Sequence, residues 1–333
     1  MTRPGVGPLG ARKLDQKILD LDSVSVMDLE EFLETIAETD EQIPATDFVE
    51  LSDMSPEELG AFARTWFDIS LERQRWVVST LVEVAEENPE LDFVAVFKMG
   101  LKEDDEVILE KAMEGLWEHE DRSVIPALIQ ILRSDKSAEV RAAAAIALGK
   151  FPLLVQEGKL LTRDGDSIHQ TLMEVLEDPE QDVDVRRRSL EAVAIFNTSD
   201  IQRFVTWAYE SADVKLKSSS IYAMGRTGET TWLPLLLKEL DNREPTIRYE
   251  TANACGELGE EDTVPHLVRL LDDDDYQVQL AGITALGKIG GPLAKKVLLH
   301  CVKEGDATLE DAARTELQNL ELLEDPMAFS SEF

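Results

Sequence analysis

The residues best suited to chemistry in this chain are four histidines, two cysteines and one run of arginines. Their spacing supplies no reaction centre. His119, His169, His266 and His300 are scattered, which leaves metal and hydrolase chemistry without a residue set. His119-Glu120 is the only His-Glu pair, and it falls in a loop after Trp117, where it reads as surface. Cys255 and Cys301 rule out a disulfide framework and have no metal-ligand spacing. Arg186-Arg187-Arg188 is the only basic cluster, too small to hold a nucleic-acid duplex.

The elements that carry these residues are written by a repeat. Val185, Leu216, Ile247 and Val278 stand 31 residues apart, and each opens the pattern apolar-x-x-x-small-x-x-Ala-apolar, closed in the last three by Gly. Val140 opens another clear copy, Ile108 a degenerate one, and Leu309 a copy that has lost the second Ala. A fixed period of this length predicts a solenoid of stacked helical hairpins. The first helix of each unit is apolar and begins near proline, as at Pro126, Pro234 and Pro265. An acidic turn follows. The second helix then places positions i, i+4, i+7 and i+8 on one stripe facing the core. Small residues at i+4 and i+7 allow close approach, and glycine at i+9 is expected to end the helix. The Arg or Lys at i+1 is expected to pair with acidic turns of adjacent repeats. Cys255 stands where sister repeats carry Leu148, Met224 and Leu286, so it reads as a small buried hydrophobe.

With 68 acidic against 33 basic residues, the formal net charge is −35. Such a chain is repelled by phosphate backbones, so no nucleic-acid partner is expected. The acidity keeps a long surface soluble; an alternative reading is a face that steers a basic partner. No stretch is apolar enough to span a membrane and no signal peptide is legible, so a cytoplasmic location is the expectation.

Along the chain, residues 1–14 read as a flexible tail and 15–70 as an N-terminal helical cap. The cap holds helices near 25–39 and 55–67, separated by a polar loop. Ser55-Pro56-Glu57-Glu58 predicts a capping box, followed by the stripe Leu59, Phe62, Ala63, Trp66 and Phe67. Residues 71–320 form the solenoid, of about seven hairpins, and 321–333 an acidic C-terminal tail. Val140 precedes Val185 by more than one period, and the excess falls in 151–166, which is expected to be a loop insertion.

The segments Ala223-Met224-Gly225-Arg226, Ala254-Cys255-Gly256-Glu257 and Ala285-Leu286-Gly287-Lys288 resemble HEAT repeats, in particular the short HEAT-like repeats of phycobilisome bilin lyases. The resemblance covers about residues 105–320 and implies an all-α, right-handed α-solenoid of stacked antiparallel helix pairs. Deoxyhypusine hydroxylase, built of similar repeats, holds di-iron with His-Glu pairs at i+2 and i+3. Here those positions read Ala142-Ala143, Arg187-Arg188, Ser218-Ser219, Tyr249-Glu250 and Leu280-Ala281, with no histidine, so no metal or other cofactor is implied.

In stacks of this type the second helices line the concave side. Positions i+2 and i+6 then face outward, giving a nearly uncharged row that includes Arg187, Glu191, Tyr222, Tyr249, Asn253 and Thr284. These are the candidate partner-binding residues, for tyrosine is a frequent interface anchor. A competing reading is that the small side chains merely allow tight curvature, with tyrosine as filler. The expectation is a non-catalytic scaffold for a protein or peptide partner, of basic character on the charge argument. The alternatives are a bilin lyase-like or other enzyme accessory subunit, and a self-associating assembly element.

Overall fold

The structure, a computed structural model, describes residues 28–38, 43–304 and 307–324. The tail expected over 1–14 and most of the tail expected over 321–333 lie outside these. The described residues form eighteen α-helices and short 3₁₀ turns, in two compact units that divide between His119 and Glu120.

The first unit contains α1 (Leu29–Glu38), α2 (Pro56–Asp68), α3 (Leu71–Glu87), α4 (Val94–Gly100) and α5 (Glu106–Gly115). The Ser55 capping box is present: the Glu58 amide donates to Ser55 Oγ at 3.3 Å, and the Ser55 amide donates to Glu58 Oε2 at 2.8 Å. The stretch expected as a polar loop contains a 3₁₀ helix, Ala45–Leu51. Phe48 draws it inward, meeting Phe32 edge-on at 5.2 Å and Trp76 at 5.3 Å. The helices over 71–115, expected to begin the solenoid, belong to this unit.

The second unit stacks six helix pairs. They are α6 (Ile125–Leu132) with α7 (Ala138–Leu148), then, past a short α8 (Phe151–Gln156), α9 (Thr162–Glu177) with α10 (Val183–Val193). There follow α11 (Ser199–Tyr209) with α12 (Val214–Thr227), and α13 (Leu233–Glu239) with α14 (Pro245–Leu258). α15 (Val264–Leu267), continued by a 3₁₀ stretch, pairs with α16 (Tyr276–Ile289), and α17 (Gly291–Glu304) pairs with α18 (Ala307–Glu324). The i positions Val140, Val185, Leu216, Ile247 and Val278 are buried, as are Leu148, Val193, Met224, Cys255 and Leu286 at i+8.

Two expectations are corrected here. In the last three clear copies the glycine at i+9 does not end the helix, although in the Val140 copy Gly149 does cap α7, with φ −65°. Gly225 and Gly256 lie inside α12 and α14, and their role is contact between helices. A Cβ on Gly225 would stand 2.8 Å from Ala254 Cα, and one on Gly256 2.9 Å from Ala285 Cα. The helices end three residues later, where Gly228 and Gly259 have φ of 70° and Gly290 has φ of 65°. The repeat that begins at Val185 ends its last turn at the same register with Asn197, φ 47°, asparagine being the other residue that tolerates this conformation.

The second correction concerns 151–166. The Val140 repeat has Pro152 at that stop register, and proline cannot take positive φ. The chain goes on into α8, with Phe151, Pro152 and Leu154 buried, and then into the first turn of α9. The insertion is largely helical, with Phe151, Pro152, Leu154 and Gly165 buried while Leu153 and Leu161 stay exposed.

Successive second helices (α7, α10, α12, α14, α16, α18) pack directly on one another, whereas first helices of neighbouring pairs barely meet.

Candidate functional site

Several i+1 side chains fasten a second helix to the following repeat, whereas Gln279 donates to the Asp273 carbonyl of its own repeat. Arg248 donates to both carboxylate oxygens of Asp273, at 2.7 and 2.6 Å, and Lys217 Nζ reaches Glu239 Oε1 at 2.9 Å. Asp273 is held below the usual carboxylate range chiefly by the Arg248 hydrogen bonds. Here the expected pairing with acidic groups holds. Arg141 instead donates to Gln181 Oε1, and Arg186 donates to the Leu176 carbonyl with its guanidinium 4.1 Å from the Trp207 ring centroid.

The arginine run is consumed internally. Arg187 pairs with Asp184, and Arg188 with Glu191 Oε2 at 2.7 Å. Glu191 Oε1 also accepts from Ser219 Oγ on α12. The three consecutive serines of α12, Ser218 to Ser220, are all buried.

Glu250 lies on α14. It is half-buried, and among the described residues it has no hydrogen-bond or ion-pair partner. Burial, and next the charge of Glu191, lift its carboxyl to about 7, while Arg188 pulls the other way. Tyr222 lies close by, its hydroxyl buried with no hydrogen-bond partner. Burial pushes that phenol up to about 12, opposed by Arg226 and reinforced by Glu191, Glu257 and Glu250. A buried hydroxyl left unsatisfied is costly unless something else completes it.

Beside them runs a row at i+10, one period per step. Glu257 accepts from Lys288 Nζ at 2.6 Å and lies 3.8 Å from Arg226. Burial would raise the Glu257 carboxyl, but the Lys288 hydrogen bond and the two cations hold it below its ordinary value.

Of the residues singled out from sequence, Arg187 and Glu191 lie on α10, Tyr222 on α12, Tyr249 and Asn253 on α14 and Thr284 on α16, all half-buried. Tyr222 and Glu191 are brought together. Tyr249, Asn253 and Thr284 share the layer without a hydrogen bond to that cluster. The i+2 and i+6 rows are not the whole face. Arg188 and Glu250 at i+3, and Arg226, Glu257 and Lys288 at i+10, make it strongly charged. The signal was available, because Arg226, Glu257 and Lys288 alternate in sign at the repeat spacing.

The histidines fall on four different elements, and among the described residues no three His, Cys, Asp or Glu side chains gather as a metal would require. No helix of the described residues is long and apolar enough to cross a membrane. Burial pushes the Cys255 thiol up to about 12, as suits a core residue.

A model of HEAT repeats matches residues 94–163 and 233–318. The chain carries HEAT repeats. The HEAT matches begin at α4 and take in α13 to α16 and most of the last pair. No curated protein sequence matches the chain. Among solved structures, human deoxyhypusine hydroxylase in complex with glycerol is 18% identical over 80% of this chain and 96% of its own, with a TM-score of 0.36. The complex of CpcE and CpcF of phycocyanin lyase from Nostoc sp. PCC7120 is 18% identical, over 70% of this chain and 94% of that one, with a TM-score of 0.45. Importin beta is 14% identical over 83% of this chain and 44% of its own, with a TM-score of 0.45.

Proposed function

We propose that this HEAT-repeat chain is a non-catalytic, cytoplasmic scaffold that binds a basic segment of a protein partner on the second-helix layer. The observation that carries the reading is the buried Tyr222 hydroxyl without a hydrogen-bond partner, in a layer that also holds Glu250, which has no partner among the described residues, together with Glu191 and Glu257. A lysine or arginine side chain of the partner supplies the missing donors, and a charge-assisted bond to a desolvated carboxylate is the strong kind. Tyr222 and Tyr249 offer flat area beside it. Arg187, Glu191, Asn253 and Thr284 extend the contact along α10, α14 and α16. The net charge of −35 draws cationic partners toward the chain.

The test is quantitative affinity purification with the wild-type chain, Glu250→Lys and the double variant Tyr222→Ala/Tyr249→Ala, each checked for helicity by circular dichroism. A common set of proteins held by the wild type and lost from both folded variants is expected. An unchanged partner list ends this reading.

A further inference from the structure

A second surface, opposite in charge, lies between first helices of the second unit. α6 and α9 flank a cleft of about 600 Å³. Pro126, Ile129 and Arg133 line it at i, i+3 and i+7 of α6 and its cap, and Arg163, Ser167 and Gln170 at i, i+4 and i+7 of α9. An ion pair stands at each end: Arg122 with Asp164 at 3.0 Å, and Arg133 with Glu174 at 2.7 Å. Asp164 and Glu174 lie about 15 Å apart along α9, and between the two arginines Ile125, Pro126 and Ile129 line the cleft. The two ends differ. Arg133 is committed, donating through Nε and Nη2 to Glu174 Oε2 at 3.1 and 2.7 Å. At the other end Arg122 and Arg163 share Asp164, the one carboxylate among the lining residues. Arg163 is 76% exposed and comes no nearer to it than 3.7 Å. Asp164 Oδ2 has no hydrogen-bond partner, and among the described residues neither Arg122 nor Arg163 makes a side-chain hydrogen bond. One positive charge is left over there, in a chain whose net charge is −35.

We propose that the cleft binds an acidic segment of a protein partner, one carboxylate held by Arg122 and Arg163 and an aliphatic side chain laid on Ile129. Guanidiniums carry several donors in a fixed fork matched to a carboxylate, and the charge-assisted bonds they form are the strong kind. The present contacts to Asp164 are exposed on the arginine side. Such surface pairs are weak, so sharing the guanidiniums with an incoming carboxylate costs little. The apolar residues lie on one side of the arginine pair only. The segment is therefore read in one direction, acidic at the start of α6 and aliphatic toward its end. The site uses other residues than the face proposed above and does not depend on it.

Fluorescence anisotropy of a labelled Asp-Glu-Leu-Leu-Ser-Gly peptide, titrated with the full chain, tests this. Net repulsion disfavours acidic peptides elsewhere on the chain, so saturable binding is expected only through the cleft. Arg122→Glu/Arg163→Glu should weaken it about tenfold or more, and Ile129→Glu should weaken it as well. Arg203→Glu on α11, a charge reversal away from the cleft, should stay within about twofold of wild type. Asp164→Asn releases both guanidiniums and should tighten binding, a gain that a misfolded variant cannot imitate. Absence of saturable binding overturns the proposal, as does affinity indifferent to Asp164→Asn. So does a loss in Arg203→Glu equal to that in Arg163→Glu alone. Wild-type dimers dispersed by Arg122→Glu/Arg163→Glu, seen by light scattering, assign the cleft to a second copy and overturn a foreign partner.

Discussion

The two helical layers of the second unit obey different rules. From α7 to α16 the second helices are uniform, running from 11 residues in α7 and α10 to 14 in α12, α14 and α16, and α12, α14 and α16 touch at backbone distance; the last, α18, runs to 18 residues. The first helices range from 16 residues in α9 to 4 in α15, where a 3₁₀ stretch takes over. The regular layer sets the period, because a glycine against the next helix's alanine leaves no slack. The loose layer absorbs variation, and the insertion at 151–166 lengthens the chain on that side alone.

The largest effect should come from filling the tight layer. Gly256→Val places its Cβ against the Ala285 backbone, which cannot yield without separating α14 from α16. Overpacking of this kind should cost about 3 kcal/mol. The same side chain in the loose layer, Ala127→Val on α6, should cost under about 1 kcal/mol, mostly in helix propensity. Urea unfolding of both variants measures the contrast, and equal losses would erase the distinction between the layers.

Next in size is the clamp between repeats. The Arg248 and Asp273 side chains are only 14% and 8% exposed, so Asp273→Asn leaves a largely desolvated guanidinium half-served by the carbonyls of Asn242 and Arg243. A loss of about 2 kcal/mol is expected at neutral pH. Because the folded-state pKa of Asp273 is depressed, its contribution is present above the unfolded value and fades as acid protonates it. Wild type and variant should therefore converge below about pH 4 in thermal melts.

The same contrast explains what could be read without coordinates. Buried positions such as Val185 and Ala254 repeat in type because the tight layer admits little else, so the stripe, the hairpins and the HEAT-like fold were legible. The stop at i+12 was equally regular, but Asn197 broke the run of Gly228, Gly259 and Gly290, and the glycine at i+9 took the credit. The loose layer left no such imprint, so 151–166 looked like a loop although Phe151 and Leu154 are buried. On the candidate face, Glu191 and Tyr222 were found by rotation around one helix. Glu250, at i+3, was missed because its environment is made partly by another helix, through Glu191 and Arg188 of α10.

The smallest predicted effect isolates that missed residue. A carboxyl raised to about 7 in the folded chain, against an unfolded value near 4.5, stays protonated over a range where the unfolded chain ionises. Glu250 is therefore harmless below about pH 4 and increasingly destabilising as pH rises toward 7, where its burial works fully against folding. Glu250→Gln, which cannot ionise, should raise stability by about 1 kcal/mol at pH 8 and lose that advantage by about pH 4. The sign is opposite to that for Asp273, whose carboxylate stabilises at neutral pH. Melting temperatures across this range measure both. A Glu250→Gln variant no more stable than wild type at pH 8 would mean that Glu250 is already paired or solvated, and the second-helix layer would then have no unpaired carboxylate to offer a cationic partner.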